Sequence, residues 1–288
     1  MAVYRANAKL NLTLGCTGKR ADGYHLLDSV FCSVDLFDIV SVEKTGKGGI
    51  TVVSDDPSLP DGKDNLAVRA AELTAERLGI SDPCIEIRLE KHIPQKAGMG
   101  GGSADAAAAI AGVCGLYGAE LSSDDMVKIG LGIGADVPFC LTGGLARVCG
   151  IGEKVIERST MPDCCFVILM QGGGNSTAEM FKKIDSSPEL IVPDSKGLMR
   201  SAERGDIRGI SEKLENVFTR YSDGAEEMCR DLLESGALGA SLTGSGAAVF
   251  GIFQDEPSAL GCADRMKKKY SGVYTAHPAT AGLEKIGD

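Results

Sequence analysis

The stretch IPQKAGMGGGSADAAAAI, residues 93–110, constrains this chain more than any other. Gly98, Gly100, Gly101 and Gly102 stand directly before a run of alanines. Glycine permits positive φ and close backbone approach, at a cost in chain entropy. Alanine is the strongest helix former. The junction therefore predicts a tight loop feeding a helix of about fifteen residues. A helix N-terminus offers unpaired N–H groups and the positive end of a dipole, so loop and helix make an anion cradle. A plain strand-to-helix turn does not need so many glycines, which favours a phosphate ligand.

Two common phosphate loops are excluded. A Walker A loop ends in Gly-Lys-Ser/Thr, but Gly18-Lys19, Gly46-Lys47 and Gly62-Lys63 are followed by Arg, Gly and Asp. A dinucleotide-binding loop requires a second strand ending in an acid about twenty residues on. The helix start LSSDDM stands there instead.

The flanking pattern is α+β. The first 55 residues alternate like strands, and DIVSVEK sets Val40 and Val42 against Ile39, Ser41 and Glu43. NLAVRAAELTAERLG reads as a helix with Leu66, Ala70, Leu73 and Leu78 on one stripe and Gly79 as its stop. CIEIRLE alternates as a strand, and CFVILM reads as a buried one. Ser122 with Asp125 predicts a helix cap. After about residue 176 helices dominate, interrupted by the strand AAVFGIF and closed by GVYTAH, with Pro257 opening the last helix. At 288 residues the chain exceeds what one core usually covers. Two domains are expected, 1–155 and 156–288, with the boundary between Gly150 and Asp163.

The net charge of −10 gives no basic face for a nucleic acid. Lys267, Lys268 and Lys269 fit the end of a helix. The three histidines make no metal-ligand spacing with the ten cysteines, so reduced thiols are expected. No window reaches bilayer length, and MAVYRANAKL lacks an apolar signal segment. These features predict a cytoplasmic protein without nucleic-acid or membrane partners.

The motif PQKAGMGGGSADAAAA resembles the central motif of the GHMP kinases, the superfamily of galactokinase, homoserine kinase and mevalonate kinase. Four more stretches extend the resemblance in order: ANAKLNLTL, GKRADGYHLLDSVF, GADVPFCLTGG and SLTGSGAAVFG. Together they span Ala6 to Phe253. The resemblance implies an N-terminal domain like ribosomal protein S5 domain 2, a ferredoxin-like C-terminal domain, and an active site between them. GKRADGYHLLDSVF is similar to a segment of one branch. That branch phosphorylates the 2-hydroxyl of a cytidine diphosphate-linked methylerythritol with ATP, in non-mevalonate isoprenoid synthesis. Mg²⁺ is then expected with ATP, and the protein is expected to be a monomer or weak homodimer.

Residue roles follow from that resemblance. Pattern alone puts Lys9, Asn11 and Thr13 on the polar, solvent-facing side of a strand, opposite Leu10, Leu12 and Leu14. The resemblance instead sets Lys9 beside the catalytic Asp136 and Asn11 on substrate. Pattern alone makes Asp136 a turn or cap residue next to Pro138, ahead of a strand; the resemblance makes it the base that takes the hydroxyl proton. Tyr24 and Phe181 are implied to stack on the cytosine, His25 to hydrogen-bond it, and Thr177 and Gly244 to line the substrate side. Alone, His25 and Phe181 read as structural. ATP is implied to contact Pro94, Gln95, Lys96, Ala97, Gly98, Met99, Gly100, Gly101, Gly102, Ser103 and Ala104, with Asn65 and Leu66 edging the adenine. Many relatives carry further glycines where this chain has Gln95, Lys96 and Ala97. No metal ligand is identified, Asp105 and Ser103 being the residues at hand. A homoserine or mevalonate-type kinase needs no base-stacking aromatics, and a non-catalytic nucleotide sensor needs neither Lys9 nor Asp136.

Overall fold

The computed structural model describes residues 1–186 and 191–287. The chain opens with two long strands, β1 (Ala2–Lys19) and β2 (His25–Lys44), paired antiparallel along nearly their whole length. Bulges near Asn7, Leu12 and Thr17 interrupt the ladder. A bulge adds twist and re-aims side chains, which lets so long a ribbon bend around a core. β3 (Gly49–Ser54) and β4 (Cys84–Glu90) extend the sheet, with α1 (Leu66–Arg77) between them.

α2 (Gly101–Tyr117) follows the glycine loop and lies against β1, β2 and α1. Ala104 and Ala106 through Ala109 are all fully buried. That explains the alanine run: residues 104–110 are buried on every face of the helix, and small side chains let each face meet a neighbour closely. A Cβ on Gly112 would strike Val42. α3 (Ser123–Ile133) carries the expected cap, with the Ser122 hydroxyl accepting from Asp125 N.

GADVPF departs from expectation. It enters a short helix, α4 (Val137–Thr142), rather than a strand. Pro138 fits the first turn of a helix, and Gly143 ends it at positive φ. The buried Val-Pro-Phe-Cys run has the apolar look of a core strand, and so short a run carries no period to tell the two apart.

β5 (Leu145–Gly150) pairs with β2, and β6 (Lys154–Ser159) pairs with β5. The second sheet is antiparallel, ordered β11-β7-β10-β9, from β7 (Cys165–Met170), β9 (Gly239–Leu242), β10 (Val249–Phe253) and β11 (Gly272–Ala276). Helices α5 (Thr177–Asp185), α6 (Ser195–Glu203), α7 (Ile207–Ser211), α8 (Ala225–Glu234) and α9 (Glu256–Met266) occupy the second half. α8 covers β9 and β10, and α9 covers β7 and β11. The short β8 (Glu215–Asn216) pairs parallel with β1. β12 (Leu283–Gly287) follows the expected last strand and pairs antiparallel with β1. Among the described residues the first sheet thus has eight strands, and it draws on both halves of the chain. β9 and β12 are too short and irregular to show alternation.

All ten cysteines are unpaired. Among the described residues no helix is long and apolar enough to cross a membrane.

Candidate active site

Lys9 is not on a solvent face. Residues 6–16 of β1 are buried on both sides, and Lys9 is 3% exposed. A buried ammonium needs partners. Lys9 Nζ donates to Asn11 Oδ1 at 2.6 Å, lies 3.3 Å from Asp136 Oδ2, and sits 4.9 Å above the Phe31 ring. Asp136 holds the N-cap position of α4 but makes no capping bond. Its carboxylate turns to Lys9 instead and is about a third exposed. The neighbouring Cys140 thiol is pushed up by burial and by the Asp136 charge, so it stays protonated.

The glycine loop lies over this pair. The first bond of α2 runs from Ala104 N to Gly100 O. Helix geometry leaves the N–H groups ahead of it, at Gly101, Gly102 and Ser103, without helical acceptors. Gly98 and Gly100 take positive φ, as does Lys96. A Cβ on Gly100 would press on the Lys9 side chain. Carbons added to Gly101 and to the exposed Gly102 would meet Ile93 and Leu66. Ala97, Met99 and Ala104 are buried, while Gln95 and Lys96 are exposed and Pro94 is half-buried.

A cleft of about 740 Å³ runs from this loop across β1 and β2 to α5. Lys9, Asp136, Gly98, Gly100 and Ser103 line one end. Tyr24, His25 and Phe181 line the other, with Asn11, Thr177 and Gly244 between. All six substrate candidates named from the sequence therefore share one cavity with the Lys9–Asp136 pair. Asn65 and Leu66 do not line it. Asn65 caps α1, accepting from Ala67 N at 2.9 Å and donating to Pro60 O at 3.1 Å.

Asn11 is committed within the protein. Its Oδ1 accepts from Lys9 and from Gly244 N at 2.8 Å, and its Nδ2 donates to Ser29 Oγ at 3.0 Å. One amide hydrogen remains for a ligand. At the far end the His25 imidazole lies flat on Phe181, centroids 4.5 Å apart, and Phe218 meets the same ring edge-on. The Phe181 face under His25 is therefore covered, which departs from an open slot between two aromatic planes. Tyr24 is exposed.

Two charged clusters were not found from the sequence. Asp38 Oδ1 accepts from His92 N and Ile93 N, at the entry to the glycine loop. Lys91 bridges Asp38 to Asp105 in the first turns of α2, and all three side chains are buried. Burial raises the Asp105 carboxyl to about 7, with the Asp38 charge adding to it and Lys91 opposing. Burial works against the Lys91 charge, but Asp105 and Asp38 outweigh it and raise its pKa. The strand period does give a signal, since Asp38 has the parity of the buried Val40 and Val42. The second cluster, Lys19 with Asp185 and His25, joins residues far apart in sequence.

Known proteins resemble this chain over nearly its whole length. The GHMP kinases N terminal domain family matches residues 65–144, and the GHMP kinases C terminal family matches 196–272. A 4-diphosphocytidyl-2-C-methyl-D-erythritol kinase of Clostridium tetani is 37% identical over 94% of this chain and 97% of its own. One of Caldicellulosiruptor saccharolyticus is 38% identical over 92% of each. A crystal structure of 4-(cytidine 5'-diphospho)-2C-methyl-D-erythritol kinase superposes with TM-score 0.78 and 28% identity, over 96% of this chain and 99% of that one. A homoserine kinase of Cytophaga hutchinsonii shares the fold, with TM-score 0.77 at 21% identity over 99% of this chain and 97% of its own. The chain belongs to the GHMP kinases and has their α+β, two-domain fold, in the branch of the 4-diphosphocytidyl-2-C-methyl-D-erythritol kinases.

Proposed function

We propose that this chain transfers the γ-phosphoryl group of ATP to the 2-hydroxyl of 4-diphosphocytidyl-2-C-methyl-D-erythritol, a step in isoprenoid precursor synthesis. The relatives' shared activity supports it. One observation of the structure carries it: the Lys9–Asp136 pair lies under the glycine loop at one end of a cleft whose other end holds His25, Tyr24 and Phe181. A kinase for a small unadorned alcohol needs only the first end.

Asp136 takes the proton of the hydroxyl as its oxygen attacks phosphorus. Lys9 keeps that carboxylate ionised and offsets charge on the transferring group. Asn11 holds Lys9 in place. The first N–H groups of α2 cradle the phosphates, and Gly100 leaves room for them above Lys9. At the other end His25 hydrogen-bonds the base, and Tyr24 and Phe181 supply aromatic surface. Thr177, whose hydroxyl meets Ser245 at 2.9 Å, and Gly244 line the path between.

Mg²⁺ fits this site as an ion carried by the nucleotide. Among the described residues no three His, Cys, Asp or Glu gather around a metal position, and Asp105 is taken by Lys91. Mg²⁺ in such sites is held mainly by phosphate oxygens and water. Ser103, a cleft-facing hydroxyl, is the residue that would reach it. The ion would neutralise phosphate charge. The unpaired thiols support a reducing, cytoplasmic compartment.

A coupled assay for ADP with the diphosphocytidyl substrate, homoserine and mevalonate tests the reading. Turnover of the first alone is expected. Turnover of either other substrate in preference refutes it.

A further inference from the structure

Lys19 and His25 face each other across the β1–β2 ladder, and Asp185 reaches both. Its Oδ2 accepts from Lys19 Nζ at 2.7 Å, and its Oδ1 meets His25 Nε2 at 2.8 Å. Asp185 follows Phe181 by one turn of α5, so both side chains leave the same face of the helix. The Phe181 ring lies 13° from parallel with the imidazole. One helix thus holds the imidazole by its face and by its Nε2 edge. Hydrogen bonds from Lys19, then from His25, hold the Asp185 carboxyl below the usual carboxylate range. An ionised carboxylate only accepts, so the proton between the two groups sits on Nε2. The bond made by one ring nitrogen sets the state of the other, and in the neutral ring Nδ1 is then an acceptor. Among the described residues no protein group bonds Nδ1, and His25 lines the cleft.

We propose that Asp185 is a positioning residue for base selection. By keeping the His25 proton on Nε2 it makes Nδ1 an acceptor. Nδ1 then takes the exocyclic amine of a base such as cytosine and repels a carbonyl at that place, as in uracil. A base bonded to Nδ1 in the imidazole plane runs parallel to the Phe181 ring. The inference rests on the reading that His25 meets the base.

The test measures CDP and UDP binding calorimetrically to the full chain, to Asp185→Ala and to His25→Ala, with ATP as control. Nitrogen NMR of His25 reads the tautomer. The wild type is expected to prefer CDP. Asp185→Ala is expected to narrow that preference by about tenfold, the worth of one mismatched hydrogen bond, to shift His25 towards the Nδ1–H form, and to leave ATP binding unchanged. Equal weakening of both nucleotides, with the ratio and tautomer kept, overturns the inference and leaves Asp185 a structural residue. Equal wild-type affinity for CDP and UDP overturns it too. If His25→Ala leaves CDP binding and the ratio intact, the base-site reading itself falls, and the inference with it.

Discussion

Gly98 and Gly244 meet backbone to backbone: a Cβ on Gly244 would lie 2.7 Å from the Gly98 carbonyl oxygen and 2.8 Å from its Cα. The reverse addition, on Gly98, would strike the Thr243 carbonyl oxygen. Both residues hold positive φ. The two glycine turns, one from each half of the chain, close on each other with no room for a side chain; Asn11 ties the Thr243–Gly244 turn to β1, and Lys9 N donates to Met99 O beside Gly98.

Gly98→Ala and Gly244→Ala should therefore each cost more than the roughly 1–3 kcal/mol of backbone strain alone. Gly118→Ala supplies the control, because its φ is also positive but nothing lies within 4 Å of its added carbon. Chemical denaturation of the three variants checks this. Equal losses at all three sites would mean that the contact between the turns contributes nothing.

Asp105 predicts a pH dependence of stability. Its carboxyl is raised from 3.8 to about 7 by burial, with the Asp38 charge adding to the rise and Lys91 opposing it. Between those values the folded chain binds more protons than the unfolded one, so this group makes stability fall as pH rises. Asp105→Asn removes that proton binding. The variant's stability relative to wild type should rise from pH 4 to about 7 and then level off. Denaturation midpoints across that range measure it, and parallel curves would show that Asp105 is ionised throughout.

Phe181→Ala should raise KM for the diphosphocytidyl substrate, by roughly 1–3 kcal/mol of lost stacking. KM for ATP should hardly change, since Phe181 lies at the end of the cleft away from the glycine loop. An unchanged KM for the cytidyl substrate removes Phe181 from base recognition.

Local features of this fold were legible and long-range ones were not. The glycine loop, the alanine helix and the Ser122 cap are written in adjacent residues. So is the parity of Val40 and Val42. Lys9 shows the limit: alternation puts it opposite three leucines, but the other side of β1 is covered too, by elements distant in sequence. Asp136 shows another, because six residues of α4 carry too little period to distinguish helix from strand. Asp38, Lys91 and Asp105, like Lys19 and Asp185, gain meaning only from partners that the fold brings together. The motif resemblance supplied candidate roles that no spacing could, though it did not foresee His25 lying on Phe181.

The most direct test of the account is the single-turnover rate of Asp136→Asn, with binding of both substrates measured separately. Asn keeps the size and a hydrogen bond but cannot take a proton at neutral pH. The rate should fall by about 10²–10⁴-fold with both substrates still bound. Lys9→Ala should be comparably slow, and the double variant little slower than either, because residues that act as a unit are not additive. A near wild-type rate for Asp136→Asn would contradict the account and leave Asp136 as no more than the residue at the start of α4.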